Sequence, residues 1–89
     1  MNCLGILESG NYAYKLCSIL ERKGYVFEVV SIPCHIAKSG CGHCLKFPEE
    51  YTGVVVNEAA LNKTPILEIY LIKPGFNKNI YTKKNIEMD

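Results

Sequence analysis

The chain has 89 residues, 48% hydrophobic and 21% charged, which suits one small globular domain and is too apolar for a disordered one. Ten Lys and Arg against nine Asp and Glu leave a net charge of +1, without the basic surplus that non-specific nucleic-acid binding needs. No apolar run approaches the roughly 18 residues of a membrane helix, and Met1-Asn2-Cys3 opens no basic leader, so the chain reads as cytoplasmic.

Residues 3–8 form a short apolar run that reads as a buried strand. Ser9-Gly10-Asn11 then offers a helix cap. Ala13, Leu16, Cys17 and Leu20 recur at helical spacing, and Gly24 is placed to end the helix in the left-handed conformation. Residues 25–32 are rich in β-branched and aromatic side chains and stop at Pro33, which predicts a second strand. A glycine-bearing loop follows over 33–42, then a short third strand over 43–47. Pro48-Glu49-Glu50 is a helix start, with acids at the positive end of the dipole, and Tyr51, Val54, Val55 and Ala59 supply the apolar face. Residues 66–72 predict a last strand, and Lys73-Pro74-Gly75 turns the chain out of it. The order β-α-β-β-α-β predicts a ferredoxin-like α+β domain over 1–73, with two helices on one face of a four-stranded antiparallel sheet. The Lys- and Asn-rich remainder, 74–89, reads as a mobile tail or a partner-dependent arm.

Five cysteines, an odd number with no export signal, argue against a disulfide framework and for metal, redox or nucleophilic chemistry. Cys3 and Cys17 fall on core positions and read as small hydrophobes. Cys34, Cys41 and Cys44 cluster in and beside the 33–42 loop. Right-handed crossovers place that loop at the end of the sheet where the first helix begins, beside Ser9 and its unpaired backbone N–H groups. Tyr12 and Tyr14, at the helix start, read as packing residues or as a shield over the loop.

The cysteine loop admits three chemistries, beside the plain reading of inert thiols in a glycine-rich turn. Cys41-Gly42-His43-Cys44 matches the active-site tetrapeptide of protein disulfide isomerases. Only 20 residues separate Cys44 from Pro65, however, too few for a thioredoxin fold, and the motif leads into a strand rather than a helix. A metal site is the second reading. Cys34, Cys41 and Cys44 with His43 or His35 could hold zinc, or three thiolates an iron–sulfur cluster. The third makes Cys41 a nucleophile that picks up and passes on sulfur. It sits between Gly40 and Gly42, where groups can approach its sulfur. Lys38, His35 or His43 and the helix terminus would favour its thiolate. Cys44 or Cys34 would then resolve it. A domain this small buries only about 60% of its unfolded surface, so a homodimer or a bound metal would add stability.

From Leu7 to Tyr70 the chain resembles the selenium/sulfur carrier-like proteins, a small bacterial family of unassigned biochemistry. The resemblance rests on Ser9, Ala13, Leu20, Gly24 and Pro33, then on Ser39, Cys41, Gly42, Leu45 and Phe47, and on Ile69-Tyr70. Cys34-His35 stands where the family carries Arg, and His43-Cys44 replaces small apolar residues, additions that bear on the metal and dithiol readings. The resemblance implies a carrier rather than a stand-alone enzyme. It would work through Cys41, assisted by Cys44 and Cys34 and tuned by His35 and His43. Its partners would be proteins that donate and accept sulfur or selenium.

Overall fold

A computed structural model of the chain describes residues 1–33, 36 and 42–84. Five strands and two helices follow in the order β1 (Asn2–Ile6), α1 (Gly10–Arg22), β2 (Glu28–Ser31), β3 (His43–Pro48), α2 (Thr52–Leu61), β4 (Glu68–Pro74) and β5 (Asn79–Lys84). The strands form one antiparallel sheet in the order β2-β3-β1-β4-β5. As expected, β3 lies between β1 and β2.

Helix α1 is bounded as its sequence predicts. The Ser9 hydroxyl accepts the Tyr12 N–H at 3.4 Å. At the other end Gly24 adopts φ +96°, so the Tyr25 and Gly24 N–H groups donate to the Leu20 and Glu21 carbonyls at 2.9 and 3.0 Å. A side chain at Gly24 would be strained there. Pro48 closes β3 instead of opening a helix, and a 3-10 turn over Glu49–Tyr51 leads into α2. The second strand is shorter than its β-rich sequence suggests, because only Glu28–Ser31 finds partners on β3.

Alternation along the strands sorts side chains onto two faces. Cys3, Leu45, Phe47 and Ile69 face the helices and pack with Leu16 and Leu20 of α1 and Val55 and Ala59 of α2. Leu4, Cys44 and Tyr70 point the other way into a smaller cluster with Ile6, Val30, Ile32, Ile36, Ile72 and Tyr81. Both helices therefore lie on one face, as expected.

The sheet has a fifth strand where the sequence reading placed a polar tail. Residues 75–78 make a tight turn in which the Gly75 N–H donates to the Lys78 carbonyl at 2.8 Å. A Cβ on Gly75 would stand 2.7 Å from that same oxygen, so the turn needs glycine. Asn77 takes the left-handed conformation at φ 71°, which asparagine tolerates better than most residues. The returning strand pairs with β4 from Asn79↔Pro74 to Lys84↔Ile69. Ion pairs from Lys83 to Glu68 (2.9 Å) and from Lys84 to Glu49 (3.2 Å) fasten it to the body. The Pro-Gly that reads as an exit is the first half of a hairpin.

Candidate functional site

The stems of the cysteine loop close at the expected end of the sheet. Ser31 pairs with His43, and one step further the Ile32 N–H donates to the Gly42 carbonyl at 2.8 Å. On the helix side, the first turn of α1 packs against His43. A Cβ on Gly10 would lie 3.5 Å from His43 Nδ1, and the His43 and Tyr14 ring centroids are 5.7 Å apart. No acid occupies that first turn, so the positive end of the helix dipole is not offset by its own residues. Ser9, Gly42 and His43 thus gather at one corner, and Ser9 acts there as a helix cap. Cys34, His35, Lys38, Ser39 and Cys41 lie outside the described residues.

Cys44 does not join that corner. It follows His43 in a strand, so its side chain leaves the opposite face of the sheet, where it is fully buried against Leu4 and Tyr70. One metal ion cannot take both His43 and Cys44 while β3 stays a strand, because consecutive residues diverge. The ligand set Cys34, Cys41, Cys44 and His43 is corrected to that extent. The isomerase-like reading meets the same difficulty, since Cys44 sits buried in a strand and not in a helix. Among the described residues, no three Cys, His, Asp or Glu side chains converge as a metal site would require.

Burial decides the state of the described thiols. It pushes Cys44 up to about 11. Cys17 is raised by burial and then by the Glu21 carboxylate, and its Sγ donates to the Phe27 carbonyl at 3.4 Å. Cys3 is raised by burial, against an opposing pull from the Lys84 ammonium. All three are protonated at neutral pH, and the protonated thiol is a poor nucleophile.

The sequence profile of the family described as "Putative Se/S carrier protein-like" matches residues 2–71. The chain belongs to that family. Neither the curated proteins nor the solved structures give a significant match. The matched span ends inside β4, so the 75–78 turn and β5 lie beyond the family's core. It includes the whole cysteine loop and both of its stems.

One described residue between the loop stems escaped the sequence reading. Ile36, whose N–H donates to the Pro33 carbonyl at 3.0 Å, packs onto the Leu4–Cys44–Tyr70 cluster. Ile36 thereby belongs to the helix-free face. The available signal was simple: Ile36 is the lone large aliphatic residue between Pro33 and Gly42.

Proposed function

We propose that this protein carries sulfur or selenium between partner proteins, with Cys41 as the carrying thiol. The observation that supports it is the disposition of the five cysteines. Cys3 and Cys44 are buried and Cys17 is half-buried, and all three are held as thiols, which leaves Cys41, in the Cys-Gly step of the family pattern, and Cys34. Cys41 is two residues from His43, so covalent geometry keeps its Cα within about 7 Å of the His43 Cα. His43 in turn rests on the first turn of α1, whose uncompensated dipole favours an anion nearby. The order β2-β3-β1-β4 of the first four strands, with a helix after β1 and after β3, supports a ferredoxin-like plan extended by β5.

The chemistry balances without an outside oxidant. The Cys41 thiolate attacks the outer sulfur of a donor protein's cysteine persulfide. A new S–S bond forms on Cys41 as the donor's S–S bond breaks, and the donor leaves as its thiolate. A nucleophile on the acceptor then takes the outer sulfur and returns Cys41 to its starting state. Cys34 would release unclaimed sulfur as hydrosulfide by closing a disulfide with Cys41. Such a protein works in the reducing cytoplasm, between larger enzymes.

Incubation with a persulfide-loaded sulfurtransferase should add about 32 Da per transferred sulfur, removable by dithiothreitol. Cys41→Ala should abolish the gain, while Cys44→Ala and Cys17→Ala should keep it. Metal analysis of the same anaerobically purified sample tests the other reading. Stoichiometric zinc or iron, with order lost on chelation and no sulfur adduct, would replace the carrier by a metal protein.

A further inference from the structure

Phe76 is the most exposed large hydrophobic side chain among the described residues, at 92%. It stands in the 75–78 turn, at the free end of the β4–β5 hairpin. β1 pairs with β4 only as far as Leu71, whereas β5 follows β4 to Pro74, so the turn begins about 10 Å beyond the last β1 pair. Pro74 and Ile80, on the same hairpin, are exposed too. Two lysines bracket this apolar tip. Lys73 and Lys78 are exposed and pair with no acid among the described residues, while Lys83 and Lys84, further down the hairpin, are engaged with Glu68 and Glu49. Residues 69–84 hold four lysines and no acid, which leaves six basic side chains against nine acidic ones in the rest of the chain. Positive charge therefore gathers on the hairpin.

We propose that this tip docks the chain on an anionic bilayer surface. Phe76 enters the boundary between headgroups and acyl chains, and Lys73 and Lys78 meet the anionic headgroups. An exposed aromatic flanked by unpaired cations matches a layer that is negative at its surface and apolar beneath it. A projecting turn meets such a soft, flat layer without needing a cavity shaped to receive it. One aromatic and two lysines make a weak anchor, so the association is peripheral and reversible. The tip and the Ser9–His43 corner lie at opposite ends of the sheet, roughly 20 Å apart along the strands, so docking leaves the corner open to solution. The hairpin turn lies outside the family match, so the contact belongs to this chain rather than to the family's core.

The chain has no tryptophan, so Phe76→Trp puts a single fluorescent reporter at the tip. Its emission should shift to the blue on adding vesicles of equal parts phosphatidylcholine and phosphatidylserine, and stay unchanged with phosphatidylcholine alone. Co-sedimentation of the wild-type chain with the same vesicles measures the partition coefficient. Phe76→Ala should lower it about tenfold or more. Lys73→Gln and Lys78→Gln should each lower it about fivefold, and added salt should weaken binding as well. All three positions are exposed, so unchanged melting temperatures will show that the variants fold. Absence of both blue shift and co-sedimentation with the anionic vesicles overturns the proposal, as does binding that Phe76→Ala leaves intact. If lipid has no effect and the emission shifts instead with polyglutamate or with protein concentration, the tip serves an acidic protein or a second copy, and the proposal falls.

Discussion

On one face of the sheet, Leu45, Phe47 and Ile69 are sealed beneath two helices. On the other, Leu4, Cys44 and Tyr70 are nearly as well hidden, at 2%, 0% and 9% exposure, and among the described residues it is single side chains, not a helix, that pack over them. The covered face draws on α1 and α2, which approach as rigid bodies and bury whole side chains. The helix-free face is closed piecemeal, by Val30 of β2 and Ile32 just after it, by Ile72 and Tyr81 from the β4–β5 hairpin, and by Ile36. A β-sheet face without helices is ordinarily half-solvated. Here Ile36, which lies between the positions of Cys34 and Cys41 in the chain, is part of the cover.

If the faces differ in this way, truncations on them should differ in cost. Phe47→Ala, under both helices, should cost about 3–5 kcal/mol in denaturant unfolding, because neither helix can collapse into the cavity. Leu4→Ala should stay near the lower end for its type, about 2 kcal/mol, since side chains on the open face can settle or admit water. Equal losses at the two sites would mean that the helix-free face is as rigidly packed as the core.

Cys44 offers a sharper probe of the same face. Its thiol is pushed up to about 11 by burial. The folded chain thus keeps a proton that the unfolded chain releases at lower pH. Stability from this group is intact below about pH 8.5, the free-thiol range, and falls as pH rises toward 11. The loss by the upper end should be roughly 2–3 kcal/mol. It should appear as the difference between the wild-type and Cys44→Ala pH profiles, since other groups titrating there are common to both. Parallel profiles would show that water reaches the Cys44 sulfur.

The covered face was legible in the sequence and the other was not, for a physical reason. Ala13, Leu16 and Leu20 announce a helix by their period, and Leu45 and Phe47 alternate, so the elements that meet on that face can be read locally. The helix-free face is assembled from single residues of remote segments. Tyr81 reaches it only because Gly75 and Asn77 permit a tight turn, and a Pro-Gly pair is as good an exit as a turn until the strand after it is recognised. The signal was there in the strand-forming run Ile80, Tyr81 and Thr82. Likewise the Ser9–His43 corner followed from the crossover rule, whereas the position of Cys44 depended on strand parity. His43 and Cys44 look like a cluster in one dimension, but a strand separates them to opposite faces.

The smallest expected effect tests whether the loop helps to cover Cys44. Ile36 is partly buried, and full burial of such a side chain contributes about 1.5–3 kcal/mol. Ile36→Ala should therefore cost only about 1 kcal/mol, and global melting would barely register it. Cys44 provides a local reporter. In the wild type it should alkylate slowly, with Cys3 and well behind Cys41, because reagent must wait for an opening of the structure. Loosening the Ile36 anchor by about 1 kcal/mol should speed Cys44 labelling about fivefold, since 1.4 kcal/mol is tenfold. Cys3, on the helix-covered face, should label at its wild-type rate if the opening is local. Equal acceleration of Cys3 and Cys44 would mean that Ile36 acts on global stability. No acceleration of either would mean that the loop plays no part in covering the face, and that β2 and β5 close it alone.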